Sequence, residues 1–309
     1  MMRNATTGFC FAILILLCGN GPLYSADQNF ADHESADQIR LLVVNQVDHT
    51  LRVVAPDSGK QISSVSVGVD GHEVAASPNG ELAYVPIYSN VALGNPGTNG
   101  RTIDVVNIAS GKIAYTIAIW ANPRPHKAVF GSDGMLYVTA ELQNAIYVVN
   151  PSTREVVGSI PTGEPQSHMI AIHGDRGYTA NVSSGTVSVL DLKQRKKIAE
   201  IHAADDIQRI SLSPDGRRAF THAKDNRVIV IDTDKNQVIA SIPTSGMPYS
   251  SAVTNDGKFL VVLMPVEPKP AVIDIATNKV VREVRREIER IPKTVSRRHR
   301  GAGVARASG

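Results

Sequence analysis

Three histidines recur at equivalent places in successive segments of this sequence. His72, His126 and His168 each stand eight residues before the last position of a predicted tight turn. Imidazoles that converge on one point can ligate a transition metal or a haem-type cofactor, or exchange protons with a small ligand. The alternative is structural, with each ring hydrogen-bonded to nearby backbone. The sequence leaves these possibilities open and makes the three histidines the leading candidates for a metal site.

Further polar and aromatic residues are predicted to lie on the same face as the histidines. Some take the equivalent place in the next two segments, and others end the second strand of a segment. The single tryptophan lies in the connection that precedes His126. The predicted ligand-binding residues are His72, His126, His168, His222, Glu141, Asn181, Gln208, Tyr249 and Trp120.

These positions are equivalent because the chain consists of repeats. Short runs rich in Val, Ile and Thr recur about every 41 residues, separated by turn motifs such as Ser213-Pro214-Asp215-Gly216. Each unit contains four short strands and no helical periodicity, which is typical of a β-propeller. We therefore predict an all-β fold, a β-propeller of four-stranded antiparallel blades with six detectable repeats. The ring is either six-bladed or a truncated seven-bladed one.

The repeat resembles that of the YVTN family of exported β-propellers. The resemblance covers roughly residues 41–281 and is carried by Leu136-Tyr137-Val138-Thr139, Thr186-Val187-Ser188-Val189-Leu190-Asp191 and Gln237-Val238-Ile239-Ala240-Ser241-Ile242-Pro243. It implies a propeller that binds or scaffolds, and DNA or cell-surface binding has been proposed for some members. Related propellers include lactonases, amine dehydrogenase large subunits and the cofactor domain of haem d1 nitrite reductases. An enzyme or enzyme subunit therefore stays open as the alternative.

The N-terminal 26 residues have the pattern of a secretory signal peptide. Arg3 precedes an apolar run at 9–18, and Tyr24-Ser25-Ala26 offers a cleavage point. Both cysteines, Cys10 and Cys18, lie in this segment, so the mature chain would lack disulfides and cysteine-based metal sites. We expect an exported protein, periplasmic or extracellular, with no transmembrane segment after cleavage. Residues 27–40 are predicted to be a flexible lead-in to a propeller at 41–284.

The C-terminal residues 285–309 form a predicted basic tail that is aberrant or disordered. Residues 282–309 contain nine Lys and Arg against three Glu, while the whole chain has a net charge of +3. Such a tail can contact nucleic acid or an anionic surface, or simply be a solvated end. The segment 292–301 is also where a closing strand of the ring would fall, although Arg297, Arg298 and Arg300 occupy its apolar positions.

One repeat is longer than the others because of an insertion at 88–101, which can be a lid, a partner-binding loop or a tolerated surface loop. The sequence lacks a phosphate-binding Gly-rich loop, a Gly-x-Ser-x-Gly elbow and a His-Glu-x-x-His motif. The predicted function is binding of a small ligand, a protein partner or a surface at the loop face and channel mouth. The alternative is a cofactor- or metal-dependent enzyme, and no cofactor is required by the sequence.

Overall fold

The computed structural model describes residues 39–89, 97–120, 123–264 and 269–284, together with the backbone of residues 15 and 16. The strands of this part of the chain form six four-stranded antiparallel sheets, which we number blades 1 to 6. The prediction of four-stranded antiparallel blades in six repeats is confirmed. No helix in these ranges is long and apolar enough to cross a membrane.

Within each blade the strands follow one another in chain order from the inner edge to the outer edge. Blade 1 contains β1 (Ile15–Leu16), β2 (Leu41–Asn45), β3 (Thr50–Val54) and β4 (Gln61–Ser66), and blade 2 contains β5 (Ala75–Ala76), β6 (Leu82–Ser89), β7 (Asn99–Asn107) and β8 (Lys112–Ala118). Blade 3 contains β9 (Pro125–Phe130), β10 (Leu136–Ala140), β11 (Ala145–Asn150) and β12 (Glu155–Pro161), and blade 4 contains β13 (Ser167–His173), β14 (Arg176–Asn181), β15 (Thr186–Asp191) and β16 (Lys196–His202). Blade 5 contains β17 (Ile207–Leu212), β18 (Arg218–Ala223), β19 (Arg227–Asp232) and β20 (Gln237–Pro243), and blade 6 contains β21 (Ser250–Val253), β22 (Phe259–Leu263), β23 (Ala271–Asp274) and β24 (Lys279–Glu283).

The turn motifs close the hairpins by the mechanism that their residue types predict. In blade 5, Gly216 has a φ of 70°, a left-handed conformation that glycine adopts without steric cost. The Asp215 carboxylate accepts hydrogen bonds from the Ser213 hydroxyl at 2.6 Å and from the Arg217 backbone N–H at 3.1 Å. These local bonds fix where the inner strand ends and the second strand begins.

Neighbouring blades pack through apolar cores made from the facing sides of their strands. Five such clusters join blade 1 to 2, 2 to 3, 3 to 4, 4 to 5 and 5 to 6. Among the described residues, none of the five clusters joins blade 6 to blade 1. The strands of those two blades accordingly alternate between buried and partly exposed residues, whereas β10 of blade 3 is buried throughout.

The inner edge of blade 1 is formed by residues of the predicted signal peptide. Ile15 and Leu16 pair antiparallel with Leu42 and Leu41. The predicted closing segment at 292–301 lies outside the described residues, as does the rest of the predicted basic tail. An open strand edge presents unpaired backbone groups, so a short extended apolar segment can add to it.

The insertion in blade 2 begins and ends as strand rather than as loop. Strands β6 and β7 extend the hairpin as far as the pair Ser89 and Asn99, and residues 90–96 lie outside the described ranges. Tyr88, at the start of the predicted insertion, is 1% exposed. The extended hairpin therefore delivers a buried tyrosine to the interior instead of only a surface loop.

Candidate functional site

Three consecutive inner strands begin with an extra residue. In β9, His126 and Lys127 stand opposite Thr139 alone, because Pro125 pairs with Ala140 and Ala128 pairs with Val138. Strands β13 and β17 show register shifts at the equivalent points, beside His168 and beside Gln208 and Arg209. A bulge of this kind redirects a side chain. Two consecutive residues can thus contribute to one site, which a regular strand would not allow.

The three predicted histidines come together as one row of rings, which we call the histidine stack. The ring centroids of His72 and His126 are 4.0 Å apart with a tilt of 43°, and those of His126 and His168 are 3.7 Å apart with a tilt of 40°. Tyr88 contacts the first two rings edge-on, at 5.2 Å from His72 and 5.1 Å from His126. The structure thus brings the three histidine side chains into contact, as their equivalent repeat positions indicated.

Four ring nitrogens of the histidine stack are buried without a hydrogen-bond partner among the described residues. His126 is 0% exposed, and both of its ring nitrogens are buried without a partner within the described part of the chain. The Nδ1 atoms of His72 and His168 are in the same condition. Burying a polar group without a partner costs about 1–3 kcal/mol. The alternative of structural histidines satisfied by nearby backbone therefore does not describe His126.

Beside the stack lies a buried carboxylate held by two cations. Glu73 is 1% exposed, and its Oε1 atom accepts a hydrogen bond from Arg209 Nη1 at 2.8 Å. Its Oε2 atom accepts one from Lys127 Nζ at 3.2 Å. Arg209 belongs to blade 5 and Glu73 immediately precedes blade 2, so this contact connects blades that are far apart in the sequence.

A second buried carboxylate, Glu141, approaches the stack at His168. The Tyr88 hydroxyl donates a hydrogen bond to Glu141 Oε2 at 2.5 Å, and Arg124 Nη1 lies 3.7 Å from Glu141 Oε1. His168 Nδ1 lies 3.7 Å from Glu141 Oε2, which is too long for a hydrogen bond and leaves an electrostatic contact. The predicted site residue Glu141 thus joins the histidine stack through His168.

Two of the remaining predicted residues have their own partners in blades 4 to 6. Asn181 is fully buried and donates hydrogen bonds to Thr186 Oγ1 at 3.1 Å and Ser188 Oγ at 2.9 Å. Its Oδ1 atom accepts one from Ser167 Oγ at 2.9 Å. These bonds occupy the amide within its own sheet. His222 Nε2 lies 2.9 Å from Ser251 Oγ, while its Nδ1 atom is buried without a partner within the described ranges.

The last three predicted residues are not among the rings that form the histidine stack. Arg209 Cζ lies 4.8 Å above the ring of Tyr249, which brings this tyrosine to the edge of the site. Gln208 is half-buried and adjoins Arg209 in the bulge of β17. Trp120 is 58% exposed and lies in the connection between the outer strand β8 and the inner strand β9.

Sequence reasoning selected Glu141 but not the other charged residues of the site. Glu73, Lys127 and Arg209 each directly follow a position that it did select, namely His72, His126 and Gln208. This adjacency is a usable signal, because a strict strand alternation would send each charge to the opposite face of its sheet, into the apolar space between blades. Tyr88 and Arg124 were noted only as parts of an insertion and a connection.

Burial keeps the histidines of the site neutral. It lowers the pKa of His72 to about 3 and that of His222 to about 3, and the neighbouring Arg209 adds to both effects. Burial, followed by His168 and His72, holds the pKa of His126 well below 6.5. Burial alone would raise the pKa of Glu73, but Lys127 and Arg209 outweigh it and lower this pKa to about 2. Near neutral pH the site therefore combines neutral imidazoles with an ionised carboxylate.

These pKa values predict that the metal-free protein loses stability in mild acid. An unfolded histidine takes up a proton near pH 6.5, whereas folded His72 and His222 do so near pH 3, so stability present above pH 6.5 declines as the pH falls. Between pH 6.5 and pH 5 each of the two should cost about 2 kcal/mol. Urea unfolding at pH 7.5 and pH 5 measures this. Equal free energies of unfolding at the two pH values would show that the rings are not buried and neutral.

Comparison with known proteins supports the fold. The chain is similar to a solved structure of hydrazine synthase from Kuenenia stuttgartiensis, with a TM-score of 0.66 and 21% sequence identity over 76% of this chain and 73% of that chain. At this identity the likeness shows the propeller fold alone. No protein-family model matches the sequence, and no curated protein matches it significantly. Membership of the YVTN family stays a prediction.

Proposed function

We propose that this propeller binds one divalent first-row transition-metal ion at the histidine stack. The observation that carries the proposal is His126, a fully buried imidazole whose two ring nitrogens have no partner in the described part of the chain. Neutral imidazole is a preferred ligand of zinc, copper, nickel and iron. A metal ion would satisfy ring nitrogens that the protein itself leaves unsatisfied.

His72, Glu73 and His126 are the first ligands of the proposed site. One ligand atom from each of these residues lies within 4.8 Å of the other two. Two imidazoles and one carboxylate form a donor set that zinc accepts, with a fourth position for water or a ligand. His168 stacks on the far side of His126 and approaches Glu141, so it serves as a support of the stack rather than as a first ligand.

Glu73 can join a metal by exchanging one cation for another. Of the two cations that contact Glu73, Lys127 is the more distant, at 3.2 Å against 2.8 Å for Arg209. The Lys127 side chain is also 18% exposed. The ammonium group can therefore swing to solvent while Arg209 keeps its oxygen. On this account Lys127 competes with the metal for Glu73.

The packing of the stack supports a bare ion over a haem-type cofactor. Centroid separations of 3.7 Å and 4.0 Å are contact distances, so a planar macrocycle cannot enter between the rings without opening the stack. An ion can instead bind at the ring edges, where the nitrogens lie. Binding of a small ligand at the open metal position is consistent with both the binding role and the enzymatic alternative predicted from the sequence.

The test is equilibrium dialysis of the chelator-treated protein against Zn²⁺ at pH 7.5, followed by metal analysis. We expect one tightly held zinc per chain for the wild type. Lys127→Met should bind zinc at least about tenfold more tightly, because the competing ammonium is gone while the charge of Glu73 remains. Lys196→Met removes a lysine from an exposed site and should change nothing. No retained zinc in the wild type, or unchanged affinity in Lys127→Met, would contradict the proposed ligand set.

A further inference from the structure

We propose that Arg209 anchors a small planar anion, a carboxylate or similar oxyanion, beside the histidine stack. Arg209 is 4% exposed and uses Nη1 to hold Glu73. Its Nη2 atom is buried without a hydrogen-bond partner within the described ranges. A guanidinium presents its donors as a rigid fork that suits the paired oxygens of a carboxylate. The guanidinium also hydrogen-bonds to the Tyr249 side chain, and Nη2 is left as a fixed donor with no acceptor among the described residues.

The position of Arg209 is fixed from three sides. The Glu73 carboxylate holds one nitrogen, the Tyr249 ring lies under Cζ at 4.8 Å, and Thr221 Oγ1 donates a hydrogen bond to the Arg209 backbone carbonyl at 2.7 Å. An anchor held in this way loses little side-chain freedom when a ligand arrives. This distinguishes Arg209 from a surface arginine.

A second unpartnered donor lies next to Arg209. Gln208 and Arg209 together stand opposite His222 in the paired strands β17 and β18. The His222 ring hydrogen-bonds to the Tyr249 backbone, and its Nε2 lies 2.9 Å from Ser251 Oγ. Its Nδ1 is buried without a partner within the described ranges, and it is a donor in the tautomer that carries the ring proton there. The neighbourhood of Arg209 thus offers hydrogen-bond donors to an incoming oxyanion.

The charge of the site also favours an anion. The buried and half-buried charges are three cations, Arg124, Lys127 and Arg209, against two carboxylates, Glu73 and Glu141, with the histidines neutral. One positive charge is therefore in excess in a medium of low dielectric constant.

The anion site adds a second ligand to the proposed metal site. Only the expected increase of anion affinity by bound metal rests on that proposed function. A divalent ion bound by His72, Glu73 and His126 adds two positive charges close to Arg209. An anion between metal and guanidinium offsets that repulsion, so each ligand should strengthen the binding of the other. Anion binding to Arg209 itself requires no metal.

The test is calorimetric titration of the full chain with sodium formate, acetate and nitrate at pH 7.5, in chelator-treated and zinc-loaded forms. We expect saturable one-to-one binding in both forms, tighter by at least about tenfold with zinc. Arg209→Lys keeps the charge beside Glu73 but loses the fork, and should weaken binding at least about tenfold. Arg217→Lys changes an exposed arginine of the same blade and should leave binding unchanged.

Several outcomes separate this inference from the metal proposal. Zinc binding with no anion binding in either form overturns the anion site and leaves the metal site standing. Anion binding to the chelator-treated protein without zinc binding supports Arg209 as an anchor and overturns the metal site. Equal anion affinity in the wild type and Arg209→Lys overturns the assignment of the anchor. If Arg209→Lys does not fold, a formate-dependent shift of a buried arginine side-chain resonance in the wild type decides the matter, and absence of a shift contradicts the site.

Discussion

Replacing His126 with leucine will abolish stoichiometric zinc binding and stabilise the metal-free protein. The two effects have one cause, because His126 is completely buried and both ring nitrogens lack partners within the described part of the chain. Leucine is of similar size and removes the buried polar atoms, so the free energy of unfolding should rise by about 1–3 kcal/mol. Equilibrium dialysis and urea unfolding of chelator-treated protein measure the two effects.

The matched control is His202→Leu, which changes an exposed histidine of the outer strand β16. It should leave both zinc binding and stability close to those of the wild type. A destabilised His126→Leu variant that still binds zinc would show that His126 has a structural partner and lies outside the metal site. A residue retained at a cost to stability is expected where binding requires it.

Replacing Glu73 with glutamine will cause the largest loss of stability of any single change in the site. Glu73 is the carboxylate that both Arg209 and Lys127 contact, and Arg209 is almost fully buried. Removing one partner of a buried ion pair leaves an uncompensated charge and costs about 3–5 kcal/mol. Urea unfolding at pH 7.5 should show the loss as a lower midpoint with an unchanged slope.

Two further variants identify the source of this loss. Glu155→Gln removes an exposed carboxylate and should have a negligible effect. Arg209→Met in the Glu73→Gln background removes the stranded charge and should restore part of the stability. If the double variant is no more stable than Glu73→Gln alone, the loss comes from packing, and the ion pair is not what connects blade 5 to Glu73.

The fold was predictable because its signal is repeated along the chain. Each blade repeats the same pattern of short β-branched runs and turn residues. A strand that is ambiguous in one repeat can therefore be assigned from its equivalents in the others. The paired alternation of burial in β2 and β3 follows directly from the strand period of two. Pairing of Ile15–Leu16 with blade 1 could not be predicted, because an apolar leader and an edge strand have the same composition.

The site was predictable only where its residues occupy equivalent positions of the repeat. Equivalent repeat positions brought His72, His126 and His168 together as expected, because equivalent residues of a ring point to one axis. Glu73, Lys127 and Arg209 were not selected, because strict alternation places a neighbour of each histidine on the other face of the sheet. The bulges at the start of β9 and β17 break that alternation, and a single sequence carries no clear signal for a bulge. Trp120 was selected for its residue type and its connection, and it is 58% exposed, whereas the rings of the stack are buried or half-buried.

X-ray absorption at the zinc edge of the dialysed, zinc-loaded protein tests the central claim most directly. The account predicts one zinc per chain with imidazole scattering from two histidines, at Zn–N distances of about 2.0–2.1 Å, and a carboxylate oxygen from Glu73. The imidazole signal should vanish in His126→Leu and persist in His202→Leu. A wild-type protein that retains no zinc, or a spectrum with oxygen ligands and no imidazole, would contradict the account.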